Sequence, residues 1–247
     1  MRRDDGTPVV VFDLDGTILR VNSFPRWVLF LIVGRIPGLD RRRRALLSLR
    51  TASQLLRRKL TRASHGEFLW RLQDAWRSAC VRRGAAPAER FEATLLRLVR
   101  TNMTSVLELV ASDRIDAVLA TAAAEDYAMS LGRRLGFRHV LATASNRRHG
   151  DPANSGAQKR EQVLALLDEC GWRGRPIILF TDHVDDLPLM RDSTTVYWCG
   201  PLRGVARTAA AAENARFVLC RDLEDGEVVR HLSDACQSDR LWASAAS

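Results

Sequence analysis

The chain has 247 residues, 46% hydrophobic and 27% charged, which is enough length and apolar content to bury a core without disulfide or metal staples. That composition excludes an intrinsically disordered or fibrous protein. Lys plus Arg number 38 against 29 Asp plus Glu, a formal net charge of +9, so anionic partners are favoured.

Only Lys59 and Lys159 are lysines. An Arg- and Ala-rich composition set by nucleotide bias is one source expected for the basic excess and binding to nucleic acid or membrane the other, and a surviving lysine is a candidate for chemistry that needs a compact ammonium. The five cysteines, Cys80, Cys170, Cys199, Cys220 and Cys236, are odd in number and contain no Cys-x-x-Cys pair. They indicate neither a disulfide framework nor a zinc knuckle, and imply a reducing compartment. The N-terminus lacks the apolar stretch of a secretory signal, so a cytoplasmic location is expected.

In chain order, the first element is a short apolar strand, Pro8–Phe12. Residues 20–102 then read as successive helices, roughly 24–34, 40–62, 65–83 and 87–100, with no alternating run among them. From about residue 103 strands and helices alternate. Strands are expected at Asp116–Ala120, Arg138–Ala142, Pro176–Phe180, Thr195–Trp198 and Arg216–Leu219, with helices at Glu125–Leu135 and Ala157–Leu167. The last twenty or so residues read as a short helix with a frayed tail. This pattern predicts an α/β fold with a Rossmann-like parallel sheet, helices on both faces and an inserted all-helical cap. The predicted division is a core of 1–19 and 103–247 and a cap of 20–102.

Chemistry concentrates where the first strand ends, in Asp13-Leu14-Asp15-Gly16-Thr17. In an extended chain residues two apart share a face, so Asp13 and Asp15 would converge and repel unless a cation or proton sits between them. Oxygen ligands without His or Cys suit Mg²⁺.

This segment resembles the phosphatase members of the haloacid dehalogenase superfamily, in which a hydrophobic strand runs into D-x-D-G-[TV]. Three later motifs of that family are matched in order. Thr121 ends the strand Ala117–Thr121; Lys159 stands near the start of a helix; and Thr181-Asp182-His183-Val184-Asp185-Asp186 follows a strand, with Thr181 where the family usually has Gly. The insert after the first motif and the stretch Leu131-Gly-Arg-Arg-Leu-Gly136-Phe137 look like the phosphoserine-phosphatase-like branch with its helical cap. The resemblance implies Asp13 as nucleophile and Asp15 as general acid and base. Thr17, Thr121 and Lys159 would bind phosphoryl oxygens. Mg²⁺ would be held by Asp13, the Asp15 carbonyl and Asp182, with Asp186 or Asp185 in support.

The implied activity is Mg²⁺-dependent hydrolysis of a phosphomonoester through an aspartyl-phosphate, the substrate being a small phosphorylated metabolite or a lipid phosphate. A phosphomutase would share every motif. Residues 20–102 carry 19 Lys plus Arg against 5 Asp plus Glu, so a basic module for RNA or membrane with a vestigial site is the alternative from another class. Peripheral membrane contact through the basic cap is one expected partnership, while the run Arg41–Arg44 reads as a solvated helix start and nucleic acid is disfavoured. Val28–Val33 is far too short to span a bilayer. Arg20, Asn22, Ser23 and Arg26 are candidates for substrate contact by proximity alone, and nothing in the sequence sets the oligomeric state.

Overall fold

A computed structural model describes residues 7–33, 36, 39–61, 65–79, 89–148, 150–220 and 223–234. Six strands, β1 (Val9–Phe12), β2 (Asp116–Ala124), β3 (His139–Thr143), β4 (Ile177–Thr181), β5 (Thr195–Trp198) and β6 (Arg216–Leu219), form one sheet in the order β3-β2-β1-β4-β5-β6. Every pairing is parallel. A central parallel strand must be apolar on both faces, and all four residues of β1 are fully buried. Val10 and Phe12 join the core on one face, Val9 and Val11 that on the other. Phe12 stacks on Phe180 with ring centroids 4.7 Å apart.

The strand order reverses at β1: β2 and β3 extend to one side, β4 to β6 to the other. In open α/β sheets the crevice at the carboxyl ends beside such a reversal is the place where ligands bind.

Among the described residues the insert after β1 holds four helices: α1 (Ser23–Val33), α2 (Arg41–Thr61), α3 (His65–Ala79) and α4 (Glu89–Leu96). They share one continuous hydrophobic cluster with one face of the sheet rather than enclosing a separate core. Trp27 of α1 is its hub, with ring centroids 4.8 Å from Trp76, 5.1 Å from Phe91 and 5.0 Å from Tyr127. Tyr127 belongs to α6 (Glu125–Arg134), which follows α5 (Thr104–Ala111) and β2. The remaining helices are α7 (Gly156–Glu169), α8 (Leu187–Met190), α9 (Val205–Ala211) and α10, residues 225–234.

Among the described residues two boundaries differ by more than two residues from the sequence reading. α4 stops at Leu96 instead of running to 100, because residues 98–100 pair with 18–20: Arg20 N donates to Leu98 O at 3.0 Å and Arg100 N to Ile18 O at 2.8 Å. The two chain passages that enter and leave the insert are thus bonded to each other. β2 continues to Ala124 with a register shift between Ala120 and Ala124, so Ala124, not Thr121, caps α6. The segment 80–88, the C-terminal tail from 235, Cys80, Cys236 and the Lys59 side chain lie outside the described residues. Among the described residues no helix is long and apolar enough to cross a membrane.

Candidate active site

β1 carries Asp13 to the crevice, and its backbone N donates to Phe180 O of β4 at 2.9 Å. The chain then turns sharply, with Leu19 N bonded to Leu14 O and Gly16 N to Val21 O. Gly16 has φ +73°, and a Cβ there would lie 1.9 Å from Oδ2 of Asp182. Glycine is required both by the left-handed backbone and by the approach of that carboxylate.

Lys159, in the first turns of α7, is buried and bridges two carboxylates. Its Nζ lies 2.9 Å from Asp13 Oδ1 and 2.7 Å from Asp186 Oδ1. Thr181 Oγ1 donates to Asp186 Oδ2 at 2.6 Å. The threonine that departs from the family's glycine therefore fixes the acid that fixes the lysine. Asp186 is buried at 3% exposure, whereas the Asp185 side chain is 66% exposed beside His183. The two rivals left open by the sequence thus differ in burial and in contact with Lys159.

Asp13, Asp15, Thr121, Lys159, Asp182, Asp185 and Asp186 all line one open cavity of about 780 Å³. Thr17 does not: it is fully buried, and its hydroxyl has no hydrogen-bond partner among the described residues. Thr17 directly follows Gly16, and its side chain is not part of the cavity lining. Arg20, Asn22 and Phe24 also reach the cavity wall, while Ser23 acts through Asp15. The Ser23 amide and hydroxyl donate to Asp15 Oδ1 at 2.8 Å and Oδ2 at 3.0 Å, and the Tyr127 hydroxyl lies 2.7 Å from Ser23 Oγ.

Burial pushes Asp15 up to about 6, with the two Ser23 bonds opposing the shift. Burial also raises Asp13; Lys159 pulls it back, while Asp186 and Asp182 push it further up. Asp182 is raised as well, first by burial. Desolvation works against the Lys159 ammonium, yet its two carboxylate partners keep it charged. A charge at low dielectric needs a counter-charge, and three carboxylates, Asp13, Asp182 and Asp186, here share one ammonium.

That deficit is the physical case for a hard cation. Lys159 takes Oδ1 of Asp13, and no hydrogen bond from the described residues reaches Oδ2. Ser23 takes one hydrogen-bonding site on each Asp15 carboxylate oxygen and leaves further acceptor capacity on both. No group of three or more His, Cys, Asp or Glu side chains is placed to hold a metal ion among the described residues; Asp13 and Asp182 offer carboxylate oxygens that water and substrate would have to complete. These oxygen donors fit Mg²⁺.

Sequence reasoning missed Arg100, Thr181 and Asn154 as parts of the site. Arg100 donates to Gly16 O at 2.7 Å and lines the cavity; it arrives through the pairing of the two insert passages, which leaves no local signature. Asn154 is buried, and its Nδ2 donates to Thr121 O at 3.1 Å and Leu141 O at 2.9 Å, tying the ends of β2 and β3 to the approach of α7. Its position before Ser155-Gly156 signals only a helix start.

The chain matches the family model described as haloacid dehalogenase-like hydrolase over residues 10–191. It has no match among curated proteins. Among solved structures, a Bordetella pertussis Tohama I protein of unknown function is similar at TM-score 0.65 and 19% identity, covering 87% of this chain and 99% of the other. A probable phosphoserine phosphatase from Vibrio cholerae, unliganded, is similar at TM-score 0.60 and 14% identity, covering 99% of this chain and 68% of that one. A cytosolic 5′-nucleotidase IIIB bound to cytidine is similar at TM-score 0.56 and 14% identity, covering 97% and 88%. With the sheet order, the Asp13–Lys159–Asp186 bridge and a family match spanning most of its length, the chain belongs to the haloacid dehalogenase-like hydrolases.

Proposed function

We propose that this chain is a phosphomonoester hydrolase that works through a phosphorylated Asp13. The observation that carries the reading is Lys159 held between Asp13 and Asp186 in the wall of an open cavity. A carboxylate nucleophile facing a phosphate dianion needs a fixed positive charge beside it, and this ammonium is buried and anchored from its far side.

In the proposed cycle an Asp13 oxygen attacks phosphorus in line with the leaving oxygen, whose bond to phosphorus breaks as the new one forms. Asp15, whose pKa of about 6 lets it exist in both forms near neutrality, delivers its proton to that oxygen. It then takes a proton from the water that cleaves the aspartyl-phosphate. Lys159 and Thr121 hold the phosphoryl oxygens, and Arg20 and Arg100 make the mouth attractive to anions. Mg²⁺ held by Asp13, Asp182 and the Asp15 carbonyl would supply Lewis-acid shielding of the carboxylate–phosphate repulsion.

The proposed substrate class is a small phosphorylated metabolite or a lipid phosphate, with the inserted helices serving as the cap that selects it. The proposed compartment is the cytoplasm, supported by free thiols at Cys170, Cys199 and Cys220. The test is hydrolysis of p-nitrophenyl phosphate with Mg²⁺, with EDTA, and by Asp13→Asn. Turnover with Mg²⁺ that disappears under both perturbations is expected. A folded protein inactive on this ester and on a panel of phosphorylated metabolites and lipid phosphates would overturn the reading.

A further inference from the structure

We propose that the face formed by α1 and α2 docks on an anionic lipid surface. Nine large apolar side chains are exposed among the described residues, and six of them, Leu29, Val33, Leu46, Leu49, Leu56 and Leu60, lie on these two helices. They are 48–75% exposed, in a protein whose other helices turn most of their large apolar side chains inward. Scattered exposed leucines are ordinary, but a concentration on one element marks an interaction surface.

The pattern on α2 is specific. At 100° per residue, Leu46, Leu49, Leu56 and Leu60 fall within an arc of about 80°. Thr51, fully buried, lies opposite that arc, with buried Leu47 on the same inward side. The helix is apolar on both sides, and its leucine arc is exposed among the described residues. Its 21 residues span about 31 Å, long enough to lie along a surface.

Charge selects the occupant. α2 contains seven arginines and no carboxylate, and α1 has no carboxylate either. Arg42, Arg50 and Arg57 fall within or beside the leucine arc, all exposed and without an ion pair among the described residues. Among the described residues the one salt bridge made by an α2 arginine is that of Arg43 with Asp40, at 3.3 Å. Arg41 and Arg44, with Ala45 and Ser48, line a hollow of about 630 Å³ at the first turn. Leucines flanked by unpaired arginines match the apolar interior and anionic headgroups of a bilayer surface. An acidic protein groove would supply the same charge, but exposed leucines on two helices, with arginines beside them and no carboxylate on either helix, match a surface that is apolar inside and anionic at its face. The face is linked to the proposed catalytic site through α1, whose first residue, Ser23, bonds Asp15 and whose Phe24 lines the cavity.

The test is cosedimentation of the full chain at physiological salt with vesicles of phosphatidylcholine alone or mixed with phosphatidylglycerol. Binding to the anionic vesicles and not to the neutral ones is expected. Leu49→Ser with Leu56→Ser should lower the partition at least tenfold, and Arg42→Gln with Arg50→Gln and Arg57→Gln by roughly 100-fold. Leu219→Ser, exposed on β6, should leave it unchanged. Because all the substituted α2 positions are exposed, melting temperature and hydrolysis of p-nitrophenyl phosphate without vesicles should match wild type, which separates docking from catalysis. Equal binding to both vesicles, no binding, or binding unaffected by the α2 variants would overturn the proposal. So would self-association, seen by ultracentrifugation, that the leucine pair abolishes while vesicles are ignored, since the face would then belong to a second copy.

Discussion

Ser23, the first residue of α1, satisfies both carboxylate oxygens of Asp15, its amide nitrogen lying 2.8 Å from Oδ1 and its hydroxyl 3.0 Å from Oδ2. The hydroxyl also meets Tyr127, whose pKa burial pushes well up. A phenol that stays protonated donates to Ser23 Oγ, leaving the serine proton for Asp15. The inserted helices and the proposed acid-base group are therefore mechanically one unit.

Removing the Ser23 hydroxyl by Ser23→Ala deletes a hydrogen bond that favours ionised Asp15, so the pKa of about 6 must rise. One such bond is worth up to about one pH unit. The alkaline limb of the kcat/KM profile for p-nitrophenyl phosphate, which reports the proton donor of the first step, should move to higher pH by that amount, and Tyr127→Phe should move it less. A lower rate with an unmoved limb would assign Ser23 a purely structural role.

Asp186 and Asp185 are adjacent in sequence but unequal in the fold, since only Asp186 holds Lys159 and accepts from Thr181. Asp186→Asn should lower kcat/KM by about 100-fold or more, a loss on the scale of a misplaced transition-state cation. Asp185→Asn should stay within about twofold, as expected of a mostly solvated side chain. The reverse order of effects would mean that the buried bridge is not the functional one.

Gly16→Ala would place a methyl 1.9 Å from Asp182 Oδ2 at φ +73°. The backbone strain alone costs about 1–2 kcal/mol of stability, read by urea denaturation. Displacing Asp182 should also raise the Mg²⁺ concentration for half-maximal activity by about tenfold, given its predicted place as a ligand. Gly150→Ala, at φ +98° with no atom within 4 Å, supplies comparable strain and should leave the Mg²⁺ requirement unchanged.

Asp126 gives a stability prediction with a defined sign. Burial raises it to about 6, while the Gln73 hydrogen bond pulls the other way. A carboxyl more basic in the folded chain than in the unfolded one stabilises the fold while protonated, and that contribution is lost as pH rises from about 4 through about 6. Asp126→Asn keeps an acceptor for Gln73 and removes the charge. It should raise stability by about 1–3 kcal/mol at pH 8 and by little at pH 4, measured by urea denaturation at both values.

The parts of this protein that were legible in its sequence are those whose cause is local. β1 announces itself because a central parallel strand has no polar face, and Lys159 stood out because one other lysine exists in the chain. All six strands lie within a few residues of their expected places, the largest difference being the extension of β2 to Ala124. What was not legible depends on distant chain segments meeting. Arg100 reaches Gly16 across 84 residues, and Tyr127 reaches Ser23 across 104. Thr181 looked like a defect in a glycine position until its hydroxyl was seen on Asp186. Thr17 is a motif position whose side chain is buried and not part of the cavity lining.

The central claim is that Asp13 becomes covalently phosphorylated. Acid quenching the enzyme during steady-state turnover of p-nitrophenyl phosphate with Mg²⁺, followed by peptide mass spectrometry, tests it directly. A phosphoryl adduct on the peptide containing Asp13, absent with EDTA and absent from Asp13→Asn, is the predicted result. Sustained turnover by Asp13→Asn, or an adduct on a different residue, would contradict the account.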